Sequence, residues 1–496
     1  MTHGPCFLGI DVGTESARAV IFDRHGRTVG EGCTTYTTHF VRPGWVEQDP
    51  QQVWLALITA IRAAVQAAPG ADVQGCSLAS TAVTAVTVDQ DGNTFDPAIL
   101  WMDTRASSEA TEISSTAHPA LWYTGNAVSP EWMLPKALWL KRHTPQRYRK
   151  ARYLVELHDW LMFRLTGRWV LSLSTISGEW TYVSERGGWQ LDLLEALDLG
   201  DLPAKWPAEV LQPGQVAGHL IDEVARETGL LSGLPVAQGL MDSYAAAIAS
   251  NVFVPGQLSL SLGSSSSYLA LLETPRSDPR LLGPVPDAFG IGTWAMQGGQ
   301  TSAASLLRWF HDQLAPGVSY TDLDHEAAMI PPGSEGLRAL DTWQGSRTPH
   351  RDPSSRGGLW GLSLGHKRAH LYRALLEAVA YGGRQIIEVM HEVGVRVENI
   401  VACGGGSHSP LWMQIHADVL GKLITVLAEP GAAALGAAIC AAVATGLYND
   451  LQSATGALAH VGQTFTPDPE HRSIYDAGYT EYLSGYASLK NMREHN

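Results

Sequence analysis

Cysteine is scarce in this chain. Cys6, Cys33, Cys76, Cys403 and Cys440 are scattered through 496 residues with no CxxC pair. That excludes a disulfide framework and a structural zinc site, and makes a reducing cytoplasm the expected compartment. Basic residues are also few: 34 Lys and Arg face 49 Asp and Glu, a formal net charge of −15. A nucleic acid is therefore not an expected partner, since its binding rests on a basic face. An anionic membrane surface is disfavoured for the same reason. Small phosphorylated ligands stay open, because backbone amides and a metal can build such a site locally. No apolar run approaches the ~18–20 residues of a spanning helix. The start, MTHGPCFLGIDVGTE, lacks a basic stretch leading into a long apolar one, so a signal peptide is not expected. There is no GxxxxGK[ST], GxGxxG or HExxH motif.

What is present is material for a large core: 45% hydrophobic residues, 17% charged, and 50 glycines for tight turns. The length predicts two domains or three. A strand is expected over Phe7–Asp11, a second over Ala17–Phe22 after the turn Val12-Gly13-Thr14-Glu15-Ser16, and a weaker third near Thr28-Val29. Asp49 can cap a helix with Pro50 at its first position and Val53, Leu57, Ile61 and Val65 on one face; Pro69-Gly70 ends it. Further strands are expected at Gly75–Ala79, Ala85–Val88 and Pro235–Gln238, and helices at Met133–Arg142, Asp159–Leu165, His370–Met390 and Trp412–Leu420. The strand–turn–strand pattern recurs at Gln257–Leu262, Gly263-Ser264-Ser265-Ser266-Ser267 and Tyr268–Leu272. Common hairpin composition accounts for this as readily as an ancient duplication. A boundary near residues 245–255 fits the duplication.

Three glycine–hydroxyl turns follow apolar strands: Asp11–Ser16, Gly263-Ser264-Ser265 and Gly404-Gly405-Gly406-Ser407. Such turns can aim N–H and hydroxyl donors into one concavity, which suits a polyphosphate. Asp11, at a strand end, is a candidate to orient a hydrated Mg²⁺ or simply a turn former. Asp242 leads from a strand into the small-residue run Ala245–Ala249. It is either a helix cap or a general base for an attacking hydroxyl. Trp101-Met102-Asp103-Thr104-Arg105 sets a ring, an acid and a guanidinium side by side, as a polyol site needs and as a surface ion pair beside a buried ring also would.

In this order these segments resemble the FGGY carbohydrate kinase family over nearly the whole chain. The segments Gly9–Thr14, Gly44–Pro50, Trp101–Arg105, Pro135–Leu140, Gly239–Ser243, Gly263–Ser265, Gly345–Pro349, Gly358–Leu362, Gly404–Asp418 and Gly431–Ala438 carry the resemblance. It implies an α/β fold of two actin-like (ribonuclease-H-like) ATPase lobes, with mixed sheets flanked by helices and a cleft between them. The expected division is 1–248, with the sugar site and first phosphate loop, and 249–496, with the nucleotide site. ATP and Mg²⁺ are the implied cofactors, and a homodimer is a family expectation. Carried over, Asp242 is the general base, and Asp11 and Asp242 are the metal-facing carboxylates. Gly13, Thr14, Ser16 and Arg18 would face the phosphates, as would Gly263 and Ser264. Gly404, Gly405 and Gly406 would meet the α-phosphate and adenosine, with Ser302 and Ser305 near the base. Trp101, Asp103, Glu131, Ser243, Thr81 and Val83 would line the sugar site.

Ser129–Lys136 and Glu179–Tyr182 resemble pentulokinases of the ribulokinase branch. Ser80-Thr81-Ala82-Val83 lacks the His of xylulokinases, the Arg-Glu pair of glycerol kinases and the acid of ribulokinases. The expected acceptor is the terminal hydroxyl of a ketopentose, D-ribulose ahead of D-xylulose. The alternatives are glycerol, erythritol or a branched ketose, and a non-kinase actin-like ATPase or sensor.

Overall fold

A computed structural model describes residues 4–494. The chain forms two compact units. The first runs to Phe253 and also takes Leu272–Ala295 and Gly431–His460; the second holds Val254–Leu271, Met296–Pro430 and the segment from Val461. The expected single cut at 248/249 thus lies close to the first crossing, but the chain crosses back twice.

The first unit is built on a six-stranded sheet in the order Val216–His219, Pro235–Met241, Asp72–Ser80, Pro5–Val12, Ser16–Asp23, Thr28–Thr35. Pro5–Val12 pairs antiparallel with Ser16–Asp23, as the alternation predicts, and parallel with Asp72–Ser80, which in turn is parallel to Pro235–Met241. The three parallel strands are apolar almost throughout because helices cover both faces.

On one face lies the helix Pro50–Ala67. Asp49 accepts from the Gln51 N–H (2.9 Å) and Pro50 occupies the first turn, the start the sequence predicts. Val53, Leu57 and Ile61 are fully buried, each stabilising by about 1.5–3 kcal/mol. The helix rides on glycines: a Cβ on Gly32 would meet the Ala60 carbonyl oxygen at 2.2 Å. On the other face lies the helix Ala432–Ala444, whose run AAALGAAICAAVA leaves its backbone bare enough for close approach. A Cβ on Gly9 would stand 1.8 Å from the Ala434 oxygen, and one on Gly436 would stand 2.0 Å from the Ala245 oxygen. This backbone-to-backbone fit is the physical reason a segment so late in sequence belongs to the first unit.

The same unit carries a five-stranded sheet, His39–Arg42, Trp45–Gln48, Ala98–Ile99, Ala85–Val88, Tyr153–Glu156. Sequence patterning predicts only the Ala85–Val88 strand of it.

The second unit repeats the central topology. Gln257–Leu262 pairs antiparallel with Ser266–Leu271 and parallel with Asn399–Cys403, which is followed in the sheet by Leu423–Leu427 and Val461–Phe465. The helices Arg368–Val393 and Pro410–Leu420 extend the expected ones by a few residues. Ser409 caps the latter, accepting from the Trp412 N–H (3.1 Å). Both units therefore place a hairpin strand beside a parallel neighbour, which favours duplication over chance hairpin composition.

Candidate active site

In open parallel sheets, ligands gather beyond the carboxyl ends of the strands. In the first unit that edge holds the predicted acids. Asp11 and Leu240 both stand in register with Ala79, so Asp11 and Asp242 end the two strands that flank Asp72–Ser80. Desolvation and the facing Asp11 charge push Asp242 up to about 7. Burial likewise raises Asp11 to about 6, with Arg18, its cross-strand partner, pulling it down. Asp242 Oδ1 accepts from the adjacent Ser243 N–H (2.6 Å). The Asp242–Ala249 helix has Met241 at its N-cap position and no side-chain capping bond. One carboxylate oxygen thus serves a first-turn N–H of that helix, while the group stands at the strand end facing Asp11.

The first glycine turn is closed by its own glycine. The Gly13 N–H donates to the Ser16 carbonyl (3.0 Å), and Tyr36 donates its hydroxyl to the Gly13 carbonyl. Phosphate donors in this turn would thus be the groups after Gly13, chiefly those of Thr14. The Thr14 carbonyl is held by the Gln48 amide (2.6 Å), and its hydroxyl accepts from the Trp101 indole N–H (3.0 Å). Arg18 pairs with Glu31 at 3.1 Å, leaving its guanidinium half-exposed.

Of the sugar-site candidates, Trp101 sits beside this turn through that indole bond. Thr81 and Val83 are buried in a turn that leaves the Asp72–Ser80 strand, with the Thr81 N–H bonded to the Val12 carbonyl (3.0 Å). Ser243 follows the catalytic candidate directly. Glu131 is half-buried ahead of the helix Met133–His143 and interacts electrostatically with Lys136.

Asp103 has a different position from the one expected. It is fully buried, and both oxygens are engaged: Oδ2 by the Val46 N–H (2.6 Å) and Arg105 Nη2 (2.8 Å), Oδ1 by the Arg105 N–H and Nε (2.9 Å each). Arg105 also reaches Glu47 (2.8 Å) and lies 3.9 Å over the Trp45 ring. This carboxylate joins two segments behind the site and has no oxygen to offer a sugar.

Sequence reasoning misses three buried groups here. Lys136 is fully buried and donates Nζ–H bonds to the Val83 (2.6 Å) and Leu100 (2.8 Å) carbonyls. Burial pushes its ammonium down to about 7, against the pull of Asp103, Glu131 and Glu156. Glu156 accepts from the Val83 N–H (2.8 Å) and the Trp180 indole N–H (2.7 Å). His158 links Ser80 (3.2 Å) to Gln238 (3.0 Å). Their only signal in the sequence is a charged or imidazole side chain within an apolar run.

In the second unit the three remaining segments meet at one edge, beyond the carboxyl ends of the parallel strands Gln257–Leu262 and Asn399–Cys403. The Gly263 N–H donates to the Ser265 carbonyl (3.0 Å), again closing its turn. The Gly263 and Ser264 carbonyls accept from the Ala304 (3.0 Å) and Ala303 (2.9 Å) N–H groups, and the Ser305 hydroxyl donates to the Ser264 carbonyl (2.7 Å). Ser302 is buried, its hydroxyl without a partner among the described residues. Gly404 takes φ 87°, and a Cβ there would meet the Leu262 oxygen at 2.7 Å. One on Gly406 would meet the Trp412 ring at 2.5 Å, whereas Gly405 opens onto free space. Two glycines are required by packing; Gly405 alone leaves room for a ligand.

Among the described residues no cluster of three or more His, Cys, Asp or Glu forms a metal centre. The pair Asp11 and Asp242 nevertheless fits Mg²⁺. Mg²⁺ takes hard oxygens, often only one or two carboxylates, and keeps water and phosphate oxygens for the rest. Two desolvated carboxylates, one raised by the other, gain from a divalent cation. No helix among the described residues is long and apolar enough to cross a membrane.

Residues 6–249 match the model of the FGGY family of carbohydrate kinases, N-terminal domain, and residues 258–445 that of its C-terminal domain. The chain is 32% identical to a ribulokinase of Geobacillus thermodenitrificans, covering 96% of this chain and 93% of the relative. It is 28% identical to a xylulose kinase of Bacillus subtilis, covering 98% and 97%. The crystal structure of a xylulose kinase from Rhodospirillum rubrum superposes with a TM-score of 0.86 at 31% identity, over 98% of this chain and 99% of that one. The two-domain α/β architecture is the actin-like ATPase fold of these kinases, and the chain belongs to the FGGY family of carbohydrate kinases, phosphotransferases acting on sugar hydroxyls.

Proposed function

We propose that this protein is an ATP-dependent pentulokinase that phosphorylates the terminal hydroxyl of a ketopentose, ribulose ahead of xylulose, with Asp242 as general base. The observation that carries the reading is the Asp242 carboxylate. It stands at a parallel-strand end facing Asp11 and is raised to about 7 by burial and by that charge. A base of that strength takes the proton of an attacking hydroxyl most effectively near neutral pH. Phosphoryl transfer asks the protein mainly for positioning and charge stabilisation. In this reading Thr14, Ser16 and Arg18 of the first unit meet phosphate oxygens, and Ser264 and the Gly404–Gly406 loop of the second unit offer nucleotide contacts. Trp101, Thr81, Val83, Ser243 and Glu131 surround the acceptor. Mg²⁺ held by Asp11 through water would neutralise charge on the phosphates, with Asp242 facing it and free to take the proton. Relatives named ribulokinase and xylulose kinase support a ketopentose over a triol.

A coupled ADP-release assay over ribulose, xylulose, other ketoses, glycerol and erythritol tests this. Sugar-stimulated turnover, fastest with a ketopentose, is expected. Turnover fastest with a triol or tetritol would move the acceptor class, and no stimulation by any acceptor with ATP still bound would refute the reading.

A further inference from the structure

The turn after the Asp72–Ser80 strand contains an unusual backbone conformation. Val83 sits at φ 50°, in the left-handed region where a β-branched side chain is strained. Such a residue persists only where its surroundings over-determine it. Both backbone groups of Val83 are in fact held by buried ionisable side chains from different elements. Its N–H donates to Glu156 Oε2 (2.8 Å), and its carbonyl accepts from Lys136 Nζ (2.6 Å). Glu156 is itself fixed by the Trp180 indole N–H on its other oxygen (2.7 Å) and by strand pairing opposite Ala85. Lys136 spends a second N–H on the Leu100 carbonyl (2.8 Å), one residue before Trp101. The Thr84 carbonyl accepts from the Leu157 N–H (2.9 Å). All of these groups are buried.

We propose that Glu156 and Lys136 are positioning residues that clamp the strained Val83 turn and tie it to the Trp101 segment, thereby setting the wall of the acceptor site and the choice of sugar. A turn built from Thr81, Ala82 and Val83 has no charged side chain of its own to read hydroxyls. Its selectivity then depends on where its backbone and the Thr81 hydroxyl stand, and that is what the two buried groups fix. Burying an ammonium and a carboxylate is costly unless each is fully bonded. Here their bonds converge on one residue, and the cost is offset only while that turn keeps its shape. The inference rests on the kinase reading of the site.

The test is a cycle of Glu156→Gln, Val83→Gly and the double variant. Glu156→Gln is isosteric but has one acceptor oxygen for two donors. Glycine at 83 removes the strain, so holding becomes dispensable. Glu156→Gln alone should raise the sugar KM about 10-fold or more, flatten the ranking of ketoses and leave the ATP KM unchanged. In the Val83→Gly background the same change should alter the sugar KM by less than about twofold. Equal effects in both backgrounds, or a parallel rise in the ATP KM, would overturn the clamp. Native-state amide hydrogen exchange over residues 80–88 reads the clamp without turnover. Protection should fall in Glu156→Gln and recover in part with glycine at 83; unchanged protection would refute it. If wild-type protein phosphorylates no sugar, the kinase reading fails while the exchange result still decides the clamp.

Discussion

Protonation of a buried imidazole beneath the site should cost the folded chain stability at acid pH. His158 is fully buried, and burial alone pushes its pKa from 6.5 down to about 3. Its partners agree. The Gln238 amide donates to Nε2 (3.0 Å), leaving Nδ1–H for the Ser80 hydroxyl (3.2 Å), which itself points to the Thr81 carbonyl (3.4 Å). A second ring proton would oppose the Gln238 N–H and force the amide over. The unfolded chain binds that proton below 6.5, whereas the folded chain refuses it until about 3. The stability contributed by neutral His158 is therefore complete above 6.5 and lost as pH falls toward 3. At about pH 5 the loss is about 2 kcal/mol, since each pKa unit is worth about 1.4 kcal/mol. Buried carboxylates such as Asp159, raised to about 7, act with the opposite sign, so the wild-type curve alone does not isolate the term. His158→Gln does. The variant loses packing at every pH but no longer titrates. Urea unfolding of both proteins at about pH 7.5 and about pH 5 should show the variant's deficit shrinking by about 2 kcal/mol at the lower pH. A deficit of the same size at both would refute the neutral, proton-refusing His158.

Other substitutions probe the site and its supports. Asp242→Asn should lower kcat by about 10²–10⁴ with the ATP Kd unchanged by equilibrium titration. Asp103→Ala would leave buried Arg105 with Glu47 as its one remaining carboxylate and the Val46 N–H without its acceptor, and should cost about 3 kcal/mol in denaturant unfolding. A stable variant that merely lost sugar affinity would restore Asp103 to the acceptor site. Gly406→Ala should lower Tm by several degrees, because the new Cβ overlaps the Trp412 ring at 2.5 Å. Gly405→Ala, facing open space, should leave Tm nearly unchanged and raise the ATP KM. Gly9→Ala, 1.8 Å from the Ala434 oxygen, should abolish soluble expression or depress Tm more than any of these.

Local chemistry explains which parts were legible in the sequence. The Pro5–Val12 and Ser16–Asp23 hairpin, the Asp49-capped helix and the strand leading to Asp242 each follow from signals within a few residues. So do their functional ends: an acid after an apolar strand is visible without any tertiary knowledge. The helix Ala432–Ala444 was predicted only as part of a matching motif. Its return to the first unit depends on Gly9 and Gly436 having no Cβ where the Ala434 and Ala245 carbonyls arrive. No periodicity encodes that pairing. The short strands His39–Arg42 and Ala98–Ile99 likewise form because their neighbours in space accept them.

Asp103 and Lys136 show the limit most sharply, because their chemistry reads the same in sequence whether they face a ligand or the core. An acid beside a tryptophan is what a polyol site requires, and it is also what a buried arginine requires. The choice between them is made by Arg105, two residues away but folded back onto both oxygens, and by the Val46 N–H from a distant strand. Lys136 is one residue after a proline in a helix whose apolar content predicts burial, and nothing local says that its ammonium would be buried with it. Only the buried carbonyls of Val83, at a turn, and of Leu100, which also accepts from the Asp103 N–H, make that tolerable. The residues proposed to do the chemistry stand at strand ends, where local sequence speaks. Those that hold it in shape are chosen by backbone groups far along the chain. The sugar preference should therefore respond to substitutions at Glu156 and Lys136, which sequence alone ranks as ordinary core.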